Sequence, residues 1–316
     1  MACLLGVYAY ELPERITGGI GGVRLERISE EPASFRRYPA ADRVDVLIAR
    51  QGAVNEMLQA FPNVRWLQLL NAGFEKVDLE QLRSRGIVFT NARSVYCSTI
   101  AEDVMAKILI LSRNYLRHFA DQQRHFWPDD VQLPNGNLDL AGRTLGILGA
   151  GAIGREVALR AGCFGMTVRG YDPYRSAQEG FASVCRNEEG LKRLLQESDF
   201  IVTSLPVTEE TKHMINARTL ALMRPTAFLI NVARGEIIEE AALIRALNQG
   251  RIRGAALDVA ETEPLPADSP LWTAERLVIT PHRAAYGDGM QARMCGLIER
   301  NLRHYLAGEP LEDRIL

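Results

Sequence analysis

Residues 144–161 read TLGILGAGAIGREVALRA, and the fold follows from them. A short apolar run leads into Gly149-Ala-Gly151-Ala-Ile-Gly154, and a helical pattern follows directly. This is the spacing of a strand, a tight turn and a helix that present backbone N–H groups to a pyrophosphate. Gly149 allows the turn, Gly151 lets a ligand approach the backbone, and Gly154 lets the helix pack closely on the strand. The free N–H groups and the positive dipole end of the new helix then face the phosphates. The next strand-like run, MTVRGYD, ends at Asp172, 18 residues beyond Gly154. An acid there is placed to accept from the adenosine ribose hydroxyls and to repel the extra phosphate of NADP. NAD is therefore the expected cofactor, with NADP kept as the alternative by the nearby Arg175.

The same alternation extends in both directions. Apolar runs LLGVYAY, VDVLIA, VRWLQLL and GIVFT occupy the first part of the chain. RTLGILG, MTVRGYD, FIVTSLP, TAFLINVA, GAALDV and RLVITP follow between about Thr144 and Pro281, with helical segments such as LKRLLQES and EAALIRALNQG between them. Strands alternating with helices of this length imply βαβ units and a parallel sheet, and six in the second series suffice for one doubly wound nucleotide-binding domain. The fold class is α/β with two domains. Two longer helical patterns, about Ser98–His118 and Gly287–Gly308, lie at the junctions and read as helices that link or brace the domains. The aromatic, punctuated stretch from His118 to Leu140 reads as a lid or an oligomer arm.

A net charge of -2 argues against a nucleic-acid binder, which usually carries a basic excess. No apolar run is long enough to span a bilayer. MACLLGVYAYELPE lacks a basic start and reads as a first strand, not a signal peptide. Five cysteines (Cys3, Cys97, Cys163, Cys185, Cys295), odd in number and without CxxC spacing, fit buried reduced thiols in a cytoplasmic protein, with no metal site.

In an open α/β sheet, ligands sit beyond the carboxyl ends of the strands, so polar residues directly after strand-like runs are the site candidates. Arg234 follows FLINVA, Asp258 ends GAALDV with Glu263 shortly after, His282 follows RLVITP, and Leu205-Pro206 ends FIVTSLP. This set suits hydride transfer to a 2-oxo acid. The planar fork of Arg234 matches a carboxylate and can polarise the ketone. Histidine is the side-chain type that exchanges protons near neutrality, which suits His282 as acid and base. Glu263 beside it would stabilise the imidazolium and fix its tautomer, and Asp258 could accept from the nicotinamide carboxamide. His118, His125, His213 and His304 lack an acid and a strand-end setting, and read as structural.

From Leu140 to His282, the blocks LAGRTLGILGAGAIG, LPVTEETKHMI, INVARGEIIEEAALIRAL, GAALDVAETEPLP and ITPH resemble, in this order, the D-isomer-specific 2-hydroxyacid dehydrogenases. The resemblance implies Arg234, Glu263 and His282 as the catalytic set. It implies cofactor contacts at Ala152, Ile153, Asp172, Leu205, Pro206, Thr211, Val232, Ala233 and Asp258, with Thr99 nearby at the start of a hinge helix. NAGFEKVD resembles the family's substrate loop, whose N–H groups at Ala72 and Gly73 would hold the substrate carboxylate; Arg50 matches a position that reaches substrate in some members, and fits a surface residue equally. The implied architecture is a Rossmann NAD domain, 96–283, inserted into a smaller flavodoxin-like substrate domain, 1–95 plus 284–316, in a homodimer that uses the segment near Phe126-Trp127. The implied substrates are small 2-oxo and 2-hydroxy acids of the glyoxylate and hydroxypyruvate type, with D stereochemistry.

Two departures bear on the substrate. Arg283 follows the histidine where small residues are common, and Ala260 stands where an aromatic is common. Glu263 argues against the formate-oxidising relatives, which carry Gln there. An NAD(H)-sensing corepressor is the alternative function, since such relatives can keep the catalytic residues.

Overall fold

The computed structural model describes residues 4–8, 12, 16, 20–29, 31–128 and 136–316. The chain divides into two compact units, Met1–Tyr96 with Gly287–Leu316, and Cys97–Tyr286.

The first unit is built on a five-stranded sheet: β1 (Leu4–Tyr8), β2 (Val23–Arg27), β3 (Val44–Ala49), β4 (Trp66–Leu69) and β5 (Val88–Thr90). The order is β2-β1-β3-β4-β5 and every pairing is parallel, the flavodoxin-like arrangement. Helices α1 (Pro32–Phe35), α2 (Val54–Ala60) and α3 (Leu79–Ser84) lie between strands in the chain. Strand β2 was not anticipated, because VRLER is short and charged at alternate positions, as suits an edge.

Returning from the far end of the chain, the last segment completes this unit. Phe89 N donates to Leu316 O at 3.1 Å, Ile315 N returns a bond to Phe89 O at 2.8 Å, and Thr90 bridges Arg314 in antiparallel sense. A buried polar network locks the arrangement. Gln68 Oε1 accepts from Thr90 Oγ1 and from Asn301 Nδ2, both at 2.9 Å, while Asn301 Oδ1 accepts from Glu312 N at 2.7 Å. Trp66 stacks on Tyr305 with centroids 5.0 Å apart.

The second unit begins with α4 (Arg93–Ser112), whose first residues belong to the first unit, and α5 (Tyr115–Gln123). One continuous helix had been expected here. Asn114 divides it by adopting a left-handed φ of 54°, a conformation that Asn tolerates better than most residues. Seven parallel strands follow: β6 (Thr144–Leu148), β7 (Thr167–Tyr171), β8 (Ser183–Cys185), β9 (Phe200–Thr203), β10 (Phe228–Asn231), β11 (Gly254–Leu257) and β12 (Leu277–Ile279). Their order is β12-β11-β10-β9-β6-β7-β8. The sequence showed six of them and missed β8, a three-residue edge strand without an apolar run. Strands β9, β10 and β11 are buried throughout, as expected where helices cover both faces of a parallel sheet. The covering helices include α6 (Ala152–Cys163), α7 (Glu188–Glu197), α8 (Ala217–Leu220) and α9 (Glu240–Asn248). Strand order reverses between β6 and β9, and at such a switch point the carboxyl ends leave a crevice for ligand. After β12 the chain enters α10 (Met290–Ala307) of the first unit.

Cys97, Cys163, Cys185 and Cys295 are free thiols. Of these four, Cys97 and Cys295 are buried and Cys163 at the end of α6 is exposed, so the core placement expected for the cysteines does not hold throughout; Cys3 lies outside the described residues. Among the described residues, no helix is long and apolar enough to cross a membrane.

Candidate active site

At the switch point, two of the three motif glycines are dictated by the protein itself. Gly149 has φ +104°, and a Cβ there would lie 2.8 Å from the Ser204 carbonyl carbon where β9 ends. A Cβ on Gly154 would lie 2.2 Å from Gly149 O. Gly151 differs. Its backbone is extended and a Cβ would meet nothing within 4 Å, so no protein neighbour requires glycine there. No side chain caps the N-terminus of α6, and the space above Gly151 is open. These features fit a dinucleotide pyrophosphate over Gly151, Ala152 and Ile153.

The parallel register brings the other candidates to the same edge. Asn231 of β10 pairs with Leu257 of β11, and Leu257 pairs with Ile279 of β12. Arg234, Asp258 and His282 therefore leave three adjacent strands in one direction. Buried Asn231 organises the first exit: its Oδ1 accepts from Thr203 Oγ1 at 2.6 Å and Ala233 N at 3.0 Å, and its Nδ2 donates to Arg234 O at 2.9 Å. Next to Arg234, Gly235 lies so close to the following loop that a Cβ would stand 1.9 Å from the Ala260 carbonyl carbon. Ala260 N in turn donates to Glu263 Oε1 at 3.1 Å. Glu263 Oε2 lies 2.7 Å from His282 Nδ1. An unbroken series of contacts thus runs from the arginine loop to the imidazole.

With Glu263 ionised, His282 Nδ1–H is the donor and Nε2 is left for chemistry. The His282 backbone is held at a left-handed φ of 53°, uncommon for a residue with a side chain, by N–H donation to Asp258 O at 2.7 Å. A cavity of about 520 Å³ adjoins the pair, lined by Leu265, Leu271, Trp272 and Ile279 along with Asp258 and Thr280. Arg234 is not among its walls.

A profile for the NAD binding domain of D-isomer specific 2-hydroxyacid dehydrogenases matches residues 105–284. The chain belongs to that family. It is 37% identical over 261 residues to a glyoxylate reductase of Korarchaeum cryptofilum, covering 80% of this chain and 76% of that one. It is 34% identical over 271 residues to a D-3-phosphoglycerate dehydrogenase of Methanocaldococcus jannaschii, covering 85% of this chain but only 51% of that longer protein. The crystal structure of a D-isomer specific 2-hydroxyacid dehydrogenase from Xanthobacter autotrophicus Py2, in complex with NADPH and MES, superposes with a TM-score of 0.82 at 28% identity, covering 100% and 98% of the two chains.

In this 2-hydroxyacid dehydrogenase, several residues read as ligand contacts already serve the protein. The Asp258 carboxylate is 2% exposed and accepts from Thr280 Oγ1 (2.5 Å), Arg283 N and Ala284 N (both 2.9 Å). Thr211 Oγ1 donates to Pro206 O at 2.7 Å and closes its own loop. Val232, Ala233 and Leu205 are buried, so a cofactor would meet mainly their backbone. Half-buried Thr99 follows Ser98, which accepts from Arg160 of α6 at 2.7 Å. In the first unit, Ala49 pairs with Leu69, so exposed Arg50 and the Ala72–Gly73 turn leave the same sheet edge. Ala72 O accepts from Asn91 Nδ2 at 2.6 Å. Beside Arg50, Gln51 Oε1 is buried without a hydrogen-bond partner among the described residues. Arg283, one of the two departures, stacks over Tyr286 at 4.6 Å from the ring centroid.

Sequence reasoning missed Asn231 and Gly235, although the Asn-Val-Ala-Arg-Gly run carries both. It also left His213 without an acid, whereas Nε2 lies 3.0 Å from Glu261 Oε1, 48 positions away in the chain. Gly235→Ala should force the arginine loop away from Ala260 and lower kcat/KM by about 10²-fold, the cost of roughly 1 Å of misplacement, with circular dichroism unchanged. Wild-type turnover by that variant would show that the contact does not set the site.

Proposed function

We propose that this protein interconverts a small 2-oxo acid and its D-2-hydroxy acid, with NAD as hydride carrier. The His282–Glu263 pair at 2.7 Å, standing at the sheet edge that also bears the glycine turn, carries the reading. When bound, the nicotinamide supplies or takes up the hydride. Arg234 holds the substrate carboxylate and polarises its ketone through its guanidinium. His282 Nε2 donates a proton to the oxygen at C2 in reduction and removes it in oxidation, a contribution of about 10²–10⁴-fold. Glu263 keeps the imidazole in the tautomer that this needs and stabilises its cation. Segments 1–95 and 284–316 would form the substrate domain, with Ala72 and Gly73 N–H groups and Arg50 facing the acid, and 96–283 the nucleotide domain. Glyoxylate and hydroxypyruvate are the type substrates; the reductase relative supports the first of these.

Purified protein should oxidise NADH with at least one of glyoxylate, hydroxypyruvate, pyruvate and longer 2-oxo acids. His282→Ala should abolish turnover and leave NADH affinity within about twofold. Tight NADH binding with no turnover of any panel member would overturn the reading in favour of an NAD(H) sensor.

Asp172 underlies the preference for NAD. Its oxygens accept from Tyr174 N, Arg175 N, Ala150 N and Arg175 Nη1, which fills the roughly four lone-pair sites of a carboxylate. Of these donors only the Arg175 guanidinium is a mobile side chain, so a ribose hydroxyl reaches Asp172 by replacing it. The same guanidinium could instead meet a 2′-phosphate. NADH should therefore exceed NADPH in kcat/KM by more than about tenfold, since the loss of a charge-assisted hydrogen bond costs roughly 1.5–3 kcal/mol. Asp172→Ser should invert the order, and equal use of both cofactors by the wild type would refute the assignment.

Exposed Tyr115, Phe119, Phe126 and Trp127 form an aromatic run along and beyond α5, consistent with a homodimer contact. The intended arm continues into 129–135, which lies outside the described residues. Sedimentation should give a dimer at micromolar concentration, and Phe119→Glu a monomer; a monomeric wild type would exclude it.

A further inference from the structure

Helix α4 carries a buried lysine, paired with a half-buried aspartate, that the chemistry above does not use. Lys107 is 2% exposed, and its ammonium bonds the carboxylate of Asp103 one turn earlier. Its other acidic neighbour is Asp258, whose Oδ1 lies 4.0 Å away and which is equally buried. An apolar side chain would fill this position at far lower cost. A lysine is almost never fully buried unless it is paired, and an i,i+4 pair alone does not require burial.

Asp258 explains the expense. Its two oxygens hold the hydroxyl of Thr280 and the amides of Arg283 and Ala284, which flank His282 on both sides. Its own carbonyl holds His282 N. Three of the roughly four lone-pair sites of a carboxylate are taken up by this loop. A buried carboxylate is costly unless a cation accompanies it, and α4 supplies one 4.0 Å away. The same burial pushes the Asp103 carboxyl above its ordinary range, Lys107 pulls it back, and Asp258 adds to the rise. The three groups are thus electrically linked.

We infer that Lys107 is a positioning residue for the proton-transferring histidine: its ammonium is the counter-charge that holds the buried Asp258 carboxylate in place, and Asp258 fixes the 280–284 loop that carries His282. The inference rests on the proposed role of His282. Lys107 touches neither substrate nor cofactor in this account and acts only through the loop.

A double substitution separates this role from local pairing. Asp103→Leu/Lys107→Leu removes the α4 pair without leaving one of its members alone, and takes the counter-charge away from Asp258. Asp103→Leu alone leaves Lys107 facing Asp258. Each full-length variant is assayed with NADH and the panel acid of highest kcat/KM, and by amide hydrogen exchange of the peptide covering Thr280–Tyr286.

The double variant should keep the wild-type circular dichroism spectrum and bind NADH within about twofold. Its kcat should fall roughly ten- to hundred-fold, and the Arg283 and Ala284 amides should exchange at least about tenfold faster. The single Asp103→Leu variant should stay close to wild type in both readouts. If the double variant keeps its kcat, or loses kcat with exchange at 280–286 unchanged, the inference is overturned. A double variant that does not fold is replaced by Lys107→Met/Asp103→Asn under the same criteria. Failure of the underlying reading looks different: His282→Ala would then retain turnover whatever the state of Lys107.

Discussion

One backbone bond, from His282 N to Asp258 O at 2.7 Å, constrains the site more than any other contact. It crosses from the exit of β12 to the exit of β11 and holds His282 at a left-handed φ that a side chain normally avoids. Only in that turn does the imidazole present Nδ1 to Glu263. The strain, of order 1–3 kcal/mol for such a conformation, is offset by the surrounding bonds of the Asp258 carboxylate to Thr280, Arg283 and Ala284. The placement of the imidazole is therefore a property of the sheet edge and not of the histidine alone.

The acids at strand ends share a pattern. Asp172 after β7 and Asp258 after β11 both face the cofactor side of the sheet, and both bond backbone amides of neighbouring loops. Each one organises the turn that a ligand would meet. Both carboxylates are thus already engaged with the protein, and substituting either one disturbs the loops it holds.

Much of this was legible in the sequence because the constraints were local. Gly149 and Gly154 are demanded by neighbours close in space, and their spacing betrays the turn. Arg234, Glu263 and His282 stand out because a parallel sheet places the residues after its strands together. What escaped was set by distant partners. Strands β2 and β8 are short edges whose pairing residues carry no apolar run. The helix break at Asn114 depends on one side chain tolerating a left-handed backbone. Gly235 looks like any loop glycine until Ala260, 25 positions later, is brought against it. Lys107 sits in an otherwise apolar helical pattern, and its partner Asp258 is 151 positions away, so nothing local marks it as buried. His213 acquires its acid in the same long-range way.

The pairing of Phe89 with Ile315 and Leu316 places the end of the chain inside the sheet assembled from its beginning. During synthesis, residues 97–286 emerge as one uninterrupted stretch and can reach their native contacts while the ribosome is still working. Residues 1–96 have no such freedom, because helix α10 and residues 314–316, which complete their unit, follow 97–286 in the chain. Their apolar face must wait, shielded by transient contacts or chaperones, until the nucleotide-facing half has already formed.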